Sequence, residues 1–435
     1  MRYLLGFIFV LLFILSDFTP GFSDLGVAKH SFSVPDMKPL NERLTNDLST
    51  FDYSAYIERT IDRFMERNEL RGVSIAVVKD ERLVFAHGYG YADKENNVIT
   101  EPRNIFRIAS VSKLITAVAI MKLVESGKLS LDSKVFGKDG IINDEKYMPY
   151  RDRRMTEITV RELLNHSGGW TQKYGDPMFM PDVIARKEGD PLPATIDTYL
   201  KFVTSHRLHF RPGTMSSYSN LGFVLLGEVI ARASGMPYED YVRANVLLPA
   251  GITDMHIGHN LYKNKYPNEV KYYEQRGSLP VMACDGSGLL LPKSNGGNDI
   301  SLLSSAGGWV ASPVELMKLL VVIDGFPGVP DILSQESIKE MTTPSPRGFE
   351  PLGWRGTTAS GYWWRTGSMP GTAAIMKRRP DGLSYVIITN TSSWKGPNFT
   401  RDLNNLMDRI CRRVNQWPDQ NLFEYYRPKD MLAIN

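Results

Sequence analysis

Ser110 and Lys113 stand three residues apart at the head of an apolar run made of Leu114, Ile115, Ala117, Val118, Ala119, Ile120, Met121, Leu123 and Val124. A run with no polar face predicts a helix buried on all sides, within a segment spanning 106–127. Gly127 is placed to cap its C-terminus. A spacing of three puts the hydroxyl and the amine on one face of that helix. Burial disfavours the charged form of a lysine and draws its pKa below the usual value of about 10.4. A neutral amine within hydrogen-bond reach of a serine can take its proton and leave a nucleophilic oxygen. The helix N-terminus adds unpaired N–H groups and a positive dipole end, both suited to a developing oxyanion. The same S-x-x-K spacing recurs at 392–395. Its place at the mouth of a buried helix selects the Ser110 copy.

The elements that must hold this pair come from both chain ends. An amphipathic helix is expected over 53–69, with Tyr56, Ile57, Ile61, Phe64 and Met65 on one side. GVSIAVVK (72–79), a turn at Asp80 and Glu81, and RLVFAHGYG (82–90) read as a hairpin. Near the C-terminus, GYWWRTG (361–367), TAAIMKR (372–378) and LSYVIITN (383–390) read as three more strands, followed by a helix over 400–417. The middle is mainly helical. Thr159 and Glu162 form a capping-box pattern, a second apolar helix runs over 221–233 up to Gly235, and Ser312-Pro313 opens a helix over 313–323. Residues 171–195, rich in Pro, Met and Asp, read as an irregular loop. The fold class is therefore α/β of the α+β kind. About five antiparallel strands from both chain ends form one sheet, flanked by helices on both faces, with a helical middle lobe at about 106–305. The site is expected at the seam between the buried helix and an edge strand carrying Arg365, Thr366 and Gly367.

The 435 residues are 42% hydrophobic and 23% charged, as in an ordinary globular chain with an extensive core. A formal net charge of +3 gives no footprint for nucleic acid. Met1-Arg2, the apolar run 3–15 and Gly21-Phe22-Ser23 have the form of a secretory signal peptide, 1–23. The apolar run is short for a stable span, so an uncleaved anchor is the lesser alternative. A secreted or periplasmic protein follows, with no membrane span after signal removal. An extended lead-in, 24–50, precedes the domain at 51–417, and 418–435 reads as a tail. Cys284 and Cys411 allow one bridge or two buried thiols. The seven histidines form only loose pairs, so no metal and no cofactor is expected.

With these residues assembled, the chain resembles the serine β-lactamase and penicillin-binding protein superfamily. The nearest likeness is to its class C β-lactamase branch with DD-peptidase and esterase relatives. The resemblance covers about 50–415 and rests on Ser110 with Lys113, LLNHSGG (163–169), SSYSNLGFVLLG (216–227), SSAGGWVAS (304–312) and RTGSMPG (365–371). Y-x-N alone is weak, recurring at 262–264 and 266–268; the ordered set is what carries the likeness.

The resemblance implies that Ser110 is the acylated nucleophile and that Lys113 accepts its proton or shares that duty with Tyr218. It implies that Tyr218 protonates the leaving group and later activates water, and that Asn220 orients Lys113 and the substrate amide. The backbone N–H groups of Ser110 and Ser368 would form the oxyanion hole. Thr366, Gly367 and Ser368 would line the substrate site. Arg365 departs from the family's usual Lys or His; it keeps a positive charge and a fork for a carboxylate but does not readily release a proton. His166 is read as packing or bonding locally, and Gln172 lies near an amide-binding position. Trp170, Trp309, Trp363 and Trp364 could line a pocket or the core.

Two functions follow. One is an exported serine acyl hydrolase acting on small-molecule or peptide substrates: D-amino-acid peptides, β-lactams or short esters. The other is an idle penicillin-binding-like protein that binds cell-wall fragments or acts as a sensor.

Overall fold

The computed structural model describes residues 43–424, all within one compact unit. The expected leader 1–23, most of the lead-in and the last part of the tail lie outside the described residues. Twelve strands occur among these: β1 (Gly72–Lys79), β2 (Arg82–Asp93), β3 (Val98–Ile99), β4 (Phe106–Arg107), β5 (His256–Ile257), β6 (Val281–Met282), β7 (Leu290–Leu291), β8 (Trp309–Ala311), β9 (Gly356–Thr357), β10 (Trp363–Met369), β11 (Thr372–Arg378) and β12 (Leu383–Thr389).

The main sheet is antiparallel, in the order β3-β2-β1-β12-β11-β10-β9. Its centre joins the chain ends, with Val73 opposite Thr389 and Ile75 opposite Ile387. Each central strand is apolar on both faces. Val73, Ile75, Val77, Tyr385 and Ile387 belong to one core with the helices Ser54–Arg67 and Phe399–Arg413. Ala76, Val78, Val386 and Ile388 belong to the other, with Ser112–Glu125 and Pro313–Val321. A side-chain period of two thus sends alternate residues into two cores, which fixes the register. The β1–β2 turn holds Asp80 and Glu81 at φ 50° and 59°, the left-handed conformation a tight hairpin requires.

The expected five strands gain two-residue additions, β3 and β9, too short to show any periodicity. Residues 171–195 differ more. They hold two 3-10 turns and the helix Pro181–Glu188, with proline in its first turn and Gly189 in the left-handed conformation after it. Chain ends also dock on β2: Ser49 Oγ bonds both backbone groups of Ala86, and the Leu422 N–H donates to the Leu83 carbonyl with Leu422 buried. Cys284 and Cys411 are free, buried thiols, which settles the bridge alternative. Among the described residues no helix is long and apolar enough to cross a membrane.

Candidate active site

The approach to Ser110 explains its position. Phe106 and Arg107 pair with Ala311 and Val310, and the Ile108 N–H donates to the Trp309 carbonyl. Ala109 then takes φ 48°, a strained conformation for a residue with a Cβ. It turns the chain into a 3-10 turn, Ala109–Val111, before the α-helix Ser112–Glu125 begins. Ser110 therefore stands on the turn ahead of the helix, where the side chain faces open space, while Lys113 lies inside it and is buried.

Lys113 Nζ donates to three oxygens: Ser110 Oγ at 3.1 Å, Asn220 Oδ1 at 2.7 Å and the Ala306 carbonyl at 2.6 Å. Tyr218 Oη is 2.6 Å from Ser110 Oγ. Burial draws the Lys113 pKa down to about 8, helped by Arg365 and opposed by Tyr218. For Tyr218 burial pushes upward, but the cations Lys113 and Arg365, with hydrogen bonds from Lys113 and Ser110, bring the phenol below its ordinary 10.0. Both groups are thus drawn below their ordinary values, which favours a neutral amine and an ionisable phenol beside Ser110.

Tyr218 and Asn220 come from the entry of the helix Asn220–Ser234, capped by Ser219 Oγ on the Gly222 N–H. Behind the phenol, the His166 ring packs at 4.5 Å between centroids. Its Nδ1 accepts the Ser219 N–H at 3.1 Å, and burial with three nearby guanidinium and ammonium groups holds its pKa well below 6.5. His166 is thus a neutral prop for the Tyr218 segment.

The other wall is β10. Since β9 pairs only with Trp363 and Trp364, β10 is an edge strand from Arg365 onward. Alternation turns Thr366 and Ser368 outward and Arg365, Gly367 and Met369 inward. A Cβ on Gly367 would lie 2.2 Å from the Ile108 carbonyl and 3.1 Å from the Ser110 nitrogen, so only glycine lets the strand approach the serine turn. A cavity of about 510 Å³ lies between these walls, reaching Ser110, Tyr218, Asn220, Thr366 and Ser368. Gln172 also borders it. Trp309 is core, Trp170 borders a separate cavity beyond Tyr218, and Trp363 packs on Trp354.

Arg365 does not project into the cavity as a free fork. Its side chain is 1% exposed. Nε donates to the Ser110 carbonyl at 2.8 Å and Nη2 to Tyr218 Oη at 3.4 Å. Three residues absent from the expected set complete the site. Asp176 Oδ2 accepts from Asn220 Nδ2 at 2.6 Å and Gln172 Nε2 at 2.7 Å, so Asn220 must turn Oδ1 toward Lys113. Glu350 lies below Tyr218, hydrogen-bonded to Arg355 and 3.5 Å from His166 Nε2. The Arg355 guanidinium lies 5.8 Å from the Tyr218 ring centre and borders the cavity, with nearly half its side chain exposed. Among the described residues no group of three or more His, Cys, Asp or Glu could hold a metal ion.

Comparison with known proteins agrees with this architecture. The putative penicillin-binding protein PbpX of Bacillus subtilis (strain 168) is 27% identical over 336 residues, 76% of this chain and 74% of PbpX. Protein Flp of Staphylococcus aureus (strain N315) is 28% identical over 249 residues, 55% of this chain; the match spans only 44% of Flp, less than half its length. The D-amino acid amidase of Ochrobactrum anthropi SV3 in complex with D-phenylalanine superposes with a TM-score of 0.64 at 25% identity, covering 83% of this chain and 100% of the amidase. The family model described as Beta-lactamase matches residues 57–406. This chain belongs to the beta-lactamase family.

Proposed function

We propose that the protein is a serine acyl hydrolase working through an acyl-enzyme on Ser110, and that it is exported. The observation that carries this reading is the double contact of one hydroxyl: Ser110 Oγ lies 2.6 Å from Tyr218 Oη and 3.1 Å from Lys113 Nζ. A serine with one such neighbour is commonplace; one held between an amine and a phenol that are both lowered in pKa is poised to lose its proton.

In the proposed sequence, the Ser110 proton passes to Lys113 or Tyr218 as Oγ attacks the substrate carbonyl carbon. The oxyanion takes the N–H groups of Ser110 and Ser368. Collapse breaks the bond to the leaving group, which receives a proton from Tyr218. Water then attacks the acyl-enzyme ester, with Tyr218 taking its proton. Asn220 aligns Lys113 and a substrate amide, while Thr366 and Gly367 shape the strand edge. Arg365 supplies positive potential beneath the phenol. The exposed Arg355, rather than the buried Arg365, would meet a substrate carboxylate.

Substrates of this class are D-amino-acid peptides, short esters and β-lactams. A DD-peptidase-like or esterase-like activity is favoured over a dedicated β-lactamase, because fast β-lactam deacylation needs a precisely placed water, which these motifs do not guarantee. The shared fold of the D-amino acid amidase supports the peptide side. Incubation with a fluorophosphonate or a fluorescent penicillin, read by peptide mass spectrometry, tests the reading. An adduct on Ser110 is expected, absent in Ser110→Ala; no adduct on wild type removes it.

A further inference from the structure

Ser368 and Met369 border the cavity over Ser110 and also a second one of about 580 Å³; Phe179 and Pro397 are likewise common to both. The two cavities therefore adjoin along this shared wall. The second part is walled mainly by apolar groups, among them Val281, Ala283 and Pro370, with Gln275, Asn298, Ser392 and Ser393 as polar members. Its buried Cys284 thiol is pushed up to about 12 by burial, which disfavours the nucleophilic thiolate. The charged side chains that border it, Asp182 and Lys293, are solvent-accessible and do not lie sealed within it.

The outer wall is the hairpin β6–β7, and it is unusual for a protein surface. Met282 pairs across the hairpin with Leu290, and both side chains stand in solvent, Leu290 at 64% exposure and the flanking Leu279 at 78%. Trp394, 70% exposed, comes within 3.9 Å of where a Cβ on Gly277 would lie. Single exposed apolar residues are ordinary, but a group of them on a hairpin and loop beside a cavity, with Met282 lining it, marks a binding surface.

Strand β10 gives the direction. Its Arg365 end touches Tyr218 Oη at 3.4 Å, whereas the apolar chamber opens at Ser368 and Met369. With about 3.3 Å per residue, roughly 10 Å separates the two ends. The leaving group must sit where Tyr218 can protonate it, at the Arg365 end, so the acyl group extends toward the chamber. We propose that the chamber is an acyl-chain site and that this protein cleaves amphiphilic esters or amides of long apolar acids, the chain lying beneath the β6–β7 hairpin. This rests on the hydrolase reading above. The acyl carbon forms an ester bond to Ser110 Oγ as its bond to the leaving group breaks and Tyr218 protonates that group. Water then releases the free acid, and no further reactant is needed.

The test is kcat/KM for monomeric p-nitrophenyl esters from acetyl to decanoyl, with wild type, Met282→Asp, Leu290→Asp and Ala283→Trp. The expected result is a rise of about fourfold per added methylene until the chamber is filled. The octanoyl-to-acetyl ratio should fall at least tenfold in Ala283→Trp, and in the two hairpin variants by a smaller factor. The hairpin variants alter exposed side chains, so they remain informative if Ala283→Trp misfolds. A flat or falling chain-length series, with Ser110 labelled by fluorophosphonate and the acetyl ester turned over, overturns the acyl-chain site and leaves the hydrolase reading standing. Absence of labelling and of turnover on every ester overturns both.

Discussion

Glu350 Oε2 and Arg365 Nη1 lie 3.8 Å apart in the buried layer under Tyr218, and neither atom has a hydrogen-bond partner. Around the phenol stand Lys113, Arg355 and Arg365, with neutral His166 packed on its ring and Asp176 reaching it only through Asn220. Glu350 is the carboxylate set against both guanidinium groups, hydrogen-bonded to Arg355 and facing Arg365.

Replacing Glu350 with Gln should therefore leave the cations uncompensated and lower the Tyr218 and Lys113 pKa values further. The acidic limb of the kcat/KM profile should move to lower pH, with a loss of about 3 kcal/mol in denaturant stability from the broken buried pair. Glu350→Asp should restore part of both. A profile unchanged in Glu350→Gln would show that the carboxylate is merely packed there.

Lys113 makes a prediction with a definite sign. Its pKa is lowered to about 8 on folding, so between about pH 8 and 10.5 the unfolded chain binds more protons than the folded one. Stability should rise through that window relative to a Lys113→Met variant, by roughly 1.4 kcal/mol per pH unit at most, and the difference should be flat below about pH 7. Acylation should also rise toward pH 8 as the amine becomes neutral. Paired urea titrations at pH 7, 8, 9 and 10 measure the first effect; wild-type stability that fails to rise relative to Lys113→Met between pH 8 and 10 would contradict the buried-lysine account.

Gly367→Ala should cost at least a hundredfold in acylation rate, because the new methyl cannot share space with the Ile108 carbonyl 2.2 Å away and β10 must retreat from Ser110. Stability should fall by only about 1–3 kcal/mol. Stopped-flow acylation beside thermal unfolding separates the two.

Asp176 and Asn220 should behave as one unit. Asp176→Ala removes the acceptor that fixes the Asn220 amide, so activity should drop about tenfold or more, and adding Asn220→Ala should cost much less than it does alone. Additive losses in this double-mutant cycle would break the proposed link.

The parts of this protein that could be read from residues were those with a period or a cap. The buried helix was legible because apolar residues occupy every side from Leu114 to Leu123, and the short helix Val160–Leu164 because Thr159 and Glu162 form the reciprocal cap found in the structure. The sheet was legible from alternation in β1 and β12. Asp176, Glu350 and Arg355 were not, because each reaches the site from a segment without periodicity; the only local signal was Asp176-Pro177, an N-cap pattern hidden in a Pro-rich stretch. The burial of Arg365 was not legible either. It depends on which face of β10 meets the core, and a register one residue over would have turned the guanidinium outward.

The central claim is that Ser110, Lys113 and Tyr218 act together on one proton. Rapid-quench mass spectrometry of the acyl-enzyme formed from a chromogenic ester tests it most directly. The acyl mass is expected on the peptide containing Ser110, lost in Ser110→Ala and slowed about a thousandfold in Lys113→Met and in Tyr218→Phe, with the double variant little worse than either. Acylation of wild type at another residue, or undiminished acylation of Ser110 in Lys113→Met and Tyr218→Phe, would contradict it.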